Sequence, residues 1–200
     1  MRVLVISEGR HELGLAWDEN GSSLRTFVCR IAEQNLSCDL RKISEPAFRS
    51  THGKGPGFVK KAVRCLHRAR EWGYDALIVL IDEDGDVDRH RQFSQAQEHV
   101  LESLPRAFGV AVRTYDAWFL ADEKALSAVM GDTIGRQPDP EDIADPKQRL
   151  KGLLRDRDQS TALTDLYEEI AKIASIEVIE QRCPKGFGVF AARIRRHIRN

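Results

Sequence analysis

Two hundred residues are enough for one domain with a sizeable core. Apolar residues make up 42 % and charged residues 31 %, and Lys plus Arg equals Asp plus Glu at 31 each, which excludes a disordered segment and a globally basic nucleic-acid binder. No apolar run approaches the roughly 20 residues that span a bilayer, and Cys29, Cys38, Cys65 and Cys183 show neither a CxxC pair nor zinc spacing; the expectation is a cytoplasmic protein without a signal peptide, with reduced thiols and no membrane partner.

In chain order, Arg2–Ser7 is a short run rich in β-branched residues, cut off by Glu8-Gly9, and reads as a buried strand with polar groups at its carboxyl end. Ser22-Ser23 offer a helix cap ahead of Leu24, Phe27, Val28 and Ile31 at helical spacing. Leu40 to Ile43 is a second strand. A glycine-rich loop, His52-Gly53-Lys54-Gly55-Pro56-Gly57, leads into a helix carrying Phe58, Ala62, Leu66 and Ala69 that should stop near Gly73. Ala76–Ile81 is apolar on both faces, as expected of a central strand in a covered parallel sheet. A helix around 92–103 and a strand from Phe108 to Val112 complete a β-α-β-α-β-α-β alternation. Tyr115–Asp122 reads as a helix start packed by Trp118 and Phe119. Residues 131–146 read as a surface excursion, 147–155 and 162–173 as helices, Ile176–Ile179 as a short strand, and 187–198 as a basic helix. The expected fold is an α/β, Rossmann-like, mostly parallel sheet with helices on both faces, spanning 1–130, with 131–200 a helical extension packed on that core within the same domain.

The chemistry concentrates in Asp82-Glu83-Asp84-Gly85-Asp86, immediately after the central strand. In extended chain residues i and i+2 point the same way, so the carboxylates of Asp82 and Asp84 can face one ion. Alone, the cluster reads equally well as a turn. Glu8 at the corresponding end of the first strand favours the metal reading, because ligands of open parallel sheets gather outside the strand carboxyl ends and neighbouring strands lie about 5 Å apart. Clustered carboxylates repel unless a divalent ion or a proton compensates, and Mg2+ or Mn2+ suits an all-oxygen site that keeps places for phosphate. An EF-hand loop does not fit, since its sixth and twelfth positions here are Val87 and Phe93.

Glu-Gly after strand one followed by Asp-x-Asp after a later strand resembles the Toprim domain of topoisomerases, primases and old-type nucleases. More narrowly, Thr114–Asp122, Asp145-Pro146-Lys147 and Cys183-Pro184-Lys185-Gly186-Phe187 resemble an uncharacterised bacterial family with a Toprim-like core. The likeness covers nearly the whole chain; it departs at Asp116, where glutamate is the more frequent residue. The resemblance implies metal-assisted phosphodiester chemistry on DNA or RNA. Asp82 and Asp84 would hold the metal, Glu8 would be a further ligand or general acid/base, and Asp86 an additional ligand. Glu12 and Asp116 would support the site or a second ion. It also implies a setting in bacterial defence or repair, with a partner ATPase.

Phosphate contacts are expected from Lys54, Arg113 and Lys185. The glycine-rich loop lacks GxxxxGK[ST], so no Walker-type site is expected, and Lys60, Lys61 and the terminal arginines read as solvated helix faces. Two other readings stay open: a scaffold with no catalysis of its own inside an ATPase complex, and a nucleotide-sugar transferase using Asp-x-Asp, against which Glu8 argues.

Overall fold

The structure, a computed structural model, describes residues 1–14, 21–49, 57–99, 103–153 and 163–199, and the backbone alone at Arg10 and His11. Four parallel strands, β1 (Arg2–Ser7), β2 (Ser37–Lys42), β3 (Ala76–Asp82) and β4 (Arg106–Ala111), form one sheet in the order β2-β1-β3-β4. Reversal of strand order beside β1 leaves a crevice at the carboxyl ends of β1 and β3, where Ser7 pairs with Leu80.

Alternation along the strands sends side chains to two cores, so the sheet is covered on both faces. Val3, Val5, Ala76, Ile78 and Leu80 face a cluster completed by α2 (Ser23–Ala32), α7 (Leu163–Ile173) and α9 (Val189–His197). Leu4, Ile6, Leu77, Val79 and Ile81 face the other cluster, completed by α3 (Gly57–Glu71) and α4 (Asp88–Gln97). Asp82 therefore continues the row of Ala76, Ile78 and Leu80 and points into the first layer. The 131–200 region is built into that layer through α7 and α9. Gly109 makes this possible: a Cβ there would meet the Phe190 ring of α9 at 2.4 Å.

Local chemistry explains most element ends. Ser22 caps α2 by accepting from Arg25 N at 3.1 Å, and Gly73, in the left-handed region at φ 71°, turns the chain after α3. Tyr115–Leu120 forms a 3₁₀ helix rather than the start of one continuous α-helix; Asp122 then caps α5 (Glu123–Met130). The helix expected around 92–103 starts earlier, at Asp88, and residues 100–102 lie outside the described segments. Within 131–146, Gln137, Pro140 and Glu141 are buried, the last two in a short 3₁₀ turn, Pro140–Asp142, so the excursion is anchored; α6 (Pro146–Leu153) follows. Ile176–Ile179 is not a strand. It opens α8 (Ile176–Arg182), capped by Ser175, which accepts from Val178 N. The two inward isoleucines, Ile176 and Ile179, fit a helical i, i+3 face, which a four-residue window cannot separate from a strand. Among the described residues no helix is long and apolar enough to cross a membrane.

Candidate functional site

Glu8 and Asp82 meet. Glu8 leaves the end of β1 and its Oε2 accepts from Asp82 N, at the end of neighbouring β3, at 3.2 Å. Asp82 Oδ1 accepts from Tyr115 N at 2.7 Å, which ties the 3₁₀ helix to the rim. Asp84 joins by a different route from the extended-chain argument. The strand stops at Asp82, and Asp84 takes a left-handed conformation, φ 49°, with its N–H donating to Arg113 O. Arg113 is itself left-handed at φ 60°. Two non-glycine residues in this region within one pair of loops mark stored strain at the rim.

Behind these three lies a fourth carboxylate. Glu12 belongs to the one-turn helix α1 (Arg10–Leu13), is 6 % exposed, and its buried Oε2 has no hydrogen-bond partner. Gly9 provides its space: a Cβ there would lie 2.1 Å from that oxygen. Burial pushes the Glu12 carboxyl up to about 7, and the neighbouring charges of Asp116 and Glu8 add to the effect. Burial, then Glu12, Asp84 and Asp116, push Asp82 up to about 8, against the hydrogen bond from Tyr115. Glu8 is also raised, by burial first, with Arg89 opposing. Asp116, also buried, accepts a short hydrogen bond from the Tyr167 hydroxyl on α7.

Arg89, in the first turn of α4, was not singled out from sequence. Its Nη1 lies 2.5 Å from the Asp82 carbonyl oxygen, 3.1 Å from Asp84 Oδ2 and 3.4 Å from Glu8 Oε2. Asp86 is further off, with Oδ2 3.9 Å from Arg89 Nε, and it is half exposed. Among the described residues no group of three or more Asp, Glu, His or Cys side chains is set as a ready-made metal site; the acids surround a guanidinium instead.

Arg113 and Lys185 line one cleft of about 470 Å3 beyond the β3–α4 loop, together with His90 and Glu83. Glu141 shapes its far side by accepting from Lys185 N at 3.1 Å and Gly186 N at 2.6 Å. Gly186 packs against β4, where a Cβ would lie 3.0 Å from Val112 N. Lys54 falls outside the described residues. Several terminal arginines are structural: Arg193 donates to Phe108 O at 2.7 Å on the edge strand, Arg195 pairs with Glu180, and Arg199 pairs with Glu33 at 2.6 Å. Trp118 and Phe119 are each 1 % exposed and lie in the core, where they cannot stack with bases.

The fold and rim together define a Rossmann-like α/β protein with several acidic side chains near the carboxyl ends of its two central strands. The chain belongs to the family described as "Domain of unknown function (DUF4276)", whose profile matches residues 21–195. That match contains Asp82, Asp84, Arg89 and Asp116 and begins after Glu8 and Glu12. Comparison with curated proteins and with solved structures gave no match.

Proposed function

We propose that this rim binds Mg2+ or Mn2+ and supports Toprim-type hydrolysis of a phosphodiester in DNA or RNA. The observation carrying the reading is the meeting of Glu8 with Asp82 across adjacent strands in front of the buried, unpartnered oxygen of Glu12. Burial and mutual repulsion raise the Glu8, Glu12 and Asp82 carboxyls, and a hard divalent ion would relieve that repulsion, which supports the metal reading. Glu8, Asp82 and Asp84 would hold it, with Glu12 as the inner carboxylate and Asp86 at the outer edge. Bound there, the ion would polarise a phosphoryl oxygen and acidify the attacking water.

The chain's own groups supply the rest. Glu12, buried behind Glu8 and Asp82 with one oxygen free of hydrogen bonds, would accept a proton from the attacking water. Arg113 and Lys185 would hold a phosphate in the adjoining cleft, and the Tyr167–Asp116 bond keeps Asp116 facing the inner acids. Tyr115 and Tyr167 are buried with hydroxyls raised above the ordinary tyrosine range, which suits positioning rather than nucleophilic attack. Hydrolysis is therefore preferred to strand transfer.

The test is incubation of purified protein with single- and double-stranded DNA and RNA in the presence of Mg2+, Mn2+ or EDTA. Cleavage that needs the ion and falls on the order of 10²-fold or more in Glu8→Ala and in Asp82→Ala supports the reading. Cleavage surviving in the double variant assigns it to another site or a contaminant. The scaffold reading within an ATPase complex has one observation in its favour, Arg89 seated among the acids. Inactivity of the wild type, alone and with an ATPase partner, combined with no Mn2+ binding, would select it.

A further inference from the structure

A single guanidinium nitrogen takes oxygens from two of the carboxylates that would hold the metal, those of Glu8 and Asp84, together with the main-chain carbonyl of Asp82. Arg89 Nη1 has two hydrogens and three oxygens from three residues around it: Asp82 O at 2.5 Å, Asp84 Oδ2 at 3.1 Å and Glu8 Oε2 at 3.4 Å. Strand pairing and the left-handed turn bring these residues to one rim, and the guanidinium fills the space between the Glu8 and Asp84 carboxylates. Arginine keeps its charge at any working pH, which makes it a permanent counter-ion.

Its seat is incomplete. Arg89 Nε is buried with no hydrogen-bond partner, and Asp86 at 3.9 Å is too distant to supply one. The guanidinium carbon lies 4.5 Å from the centroid of the Phe58 ring, a support that holds a cation without fixing its direction. Phe58 N in turn donates to Gln92 Oε1 on α4, tying the ring to Arg89's own helix. The side chain is 15 % exposed, so solvent is close. The inner acids are served differently: Arg89 stands against Glu8 and Asp84, while Glu12 keeps an unpartnered oxygen. One positive charge thus screens the outer carboxylates and leaves the inner ones uncompensated.

We infer that Arg89 is a built-in occupant of the cation position, which a divalent ion must displace in order to bind. This rests on the rim being a metal site. Displacement costs the guanidinium its three oxygen contacts, so the resident charge weakens metal binding and narrows it to ions with charge density above that of a guanidinium.

The experiment is equilibrium Mn2+ binding to the full chain, followed by the signal of free Mn2+ and by calorimetry, with thermal unfolding as the check on folding. Arg89→Met is expected to bind Mn2+ about tenfold more tightly than the wild type, because a competing charge is gone. Arg89→Gln serves if the methionine variant does not fold, with the same expectation. Millimolar guanidinium chloride should weaken Mn2+ binding to Arg89→Ala, towards the wild-type affinity, while KCl of equal ionic strength should not. Glu8→Gln/Asp82→Asn reports on the site itself. If it abolishes Mn2+ binding but the Arg89 variants bind no more tightly than the wild type, the displacement is overturned and the metal site stands. If neither wild type nor the Arg89 variants bind Mn2+, the site and the inference fall together.

Discussion

Two groups of buried carboxylates share this molecule, and they are treated in opposite ways. Asp122 and Glu141 are 7 % and 4 % exposed, and their carboxylates accept from backbone N–H groups. Asp122 Oδ1 accepts from Lys124 N and Ala125 N, and its Oδ2 accepts from Ser175 N at 2.8 Å. Glu141 accepts from Lys185 N and Gly186 N. These acids join segments far apart in sequence, stapling α5 to α8 and the 131–146 excursion to the turn before α9. At the strand rim, Glu12 is just as buried at 6 %, yet one oxygen has no donor, and the charges of Asp116 and Glu8 repel it, with Lys147 opposing more weakly. Burial alone does not mark a functional acid. What marks it is burial without donors, since folding gains nothing from an uncompensated carboxylate.

The sharpest break in this comparison is functional. Asp82→Asn keeps an oxygen to accept from Tyr115 N, so the fold should persist, while Mn2+ binding and any metal-dependent cleavage fall on the order of 10²-fold. Asp122→Asn should leave both unchanged. Wild-type activity in Asp82→Asn would remove the rim from consideration.

Stability against pH should separate the two groups next. Asp82 rises from 3.8 to about 8 and Glu12 from 4.5 to about 7 on folding. Both folded-state values lie above the unfolded ones, so the native state binds more protons than the unfolded chain across that window, and stability falls as pH rises through it. Without divalent ions, Tm is expected to drop on the order of 10 °C between pH 5 and pH 8. Asp82→Asn should flatten the profile, and Mn2+ should restore Tm at pH 8. A metal-free Tm that rises over this range would contradict the assignment of the rim acids.

The stapling acids predict a smaller loss in stability alone. Asp122→Ala removes a helix cap and leaves Ser175 N without its acceptor, a loss of about 2–3 kcal/mol by chemical denaturation, with Mn2+ affinity unchanged. Smallest is Gly9→Ala. Gly9 is not among the left-handed glycines, so alanine is acceptable to the backbone, but its methyl would meet Glu12 Oε2. Tm should hardly move while Mn2+ binds about threefold more weakly, because the inner carboxylate must shift. Unchanged affinity would assign Glu12 no share in the site.

Much of the fold was legible because it is written in periodicity. β1, β3, α2 and α3 declared themselves by β-branched runs, a serine cap and helical spacing. Ile176–Ile179 was misread because four residues carry too little period to distinguish helix from strand, and the Ser175 cap that settles it lies just outside that window. At the site, Asp82, Asp84 and Glu8 were visible from their positions after strands. Arg89 was not, since an arginine in a charged helix turn looks like any solvated residue; its one cue was its place in the first turn after the acidic loop. Glu12 was visible only as a supporting group, because its burial depends on α1 folding back over Gly9.

The amino-acid order by itself determined the parallel α/β layering and put acids at two strand ends, because alternating and helical apolar spacing act over a few residues. Which strands became neighbours, the left-handed turn that swings Asp84 back to the rim, the seat of Arg89 and the isolation of Glu12 were decided only in three dimensions. They depend on contacts between separate elements, the longest joining Glu8 to Asp82 across 74 residues, and no local pattern encodes the distance between two such groups.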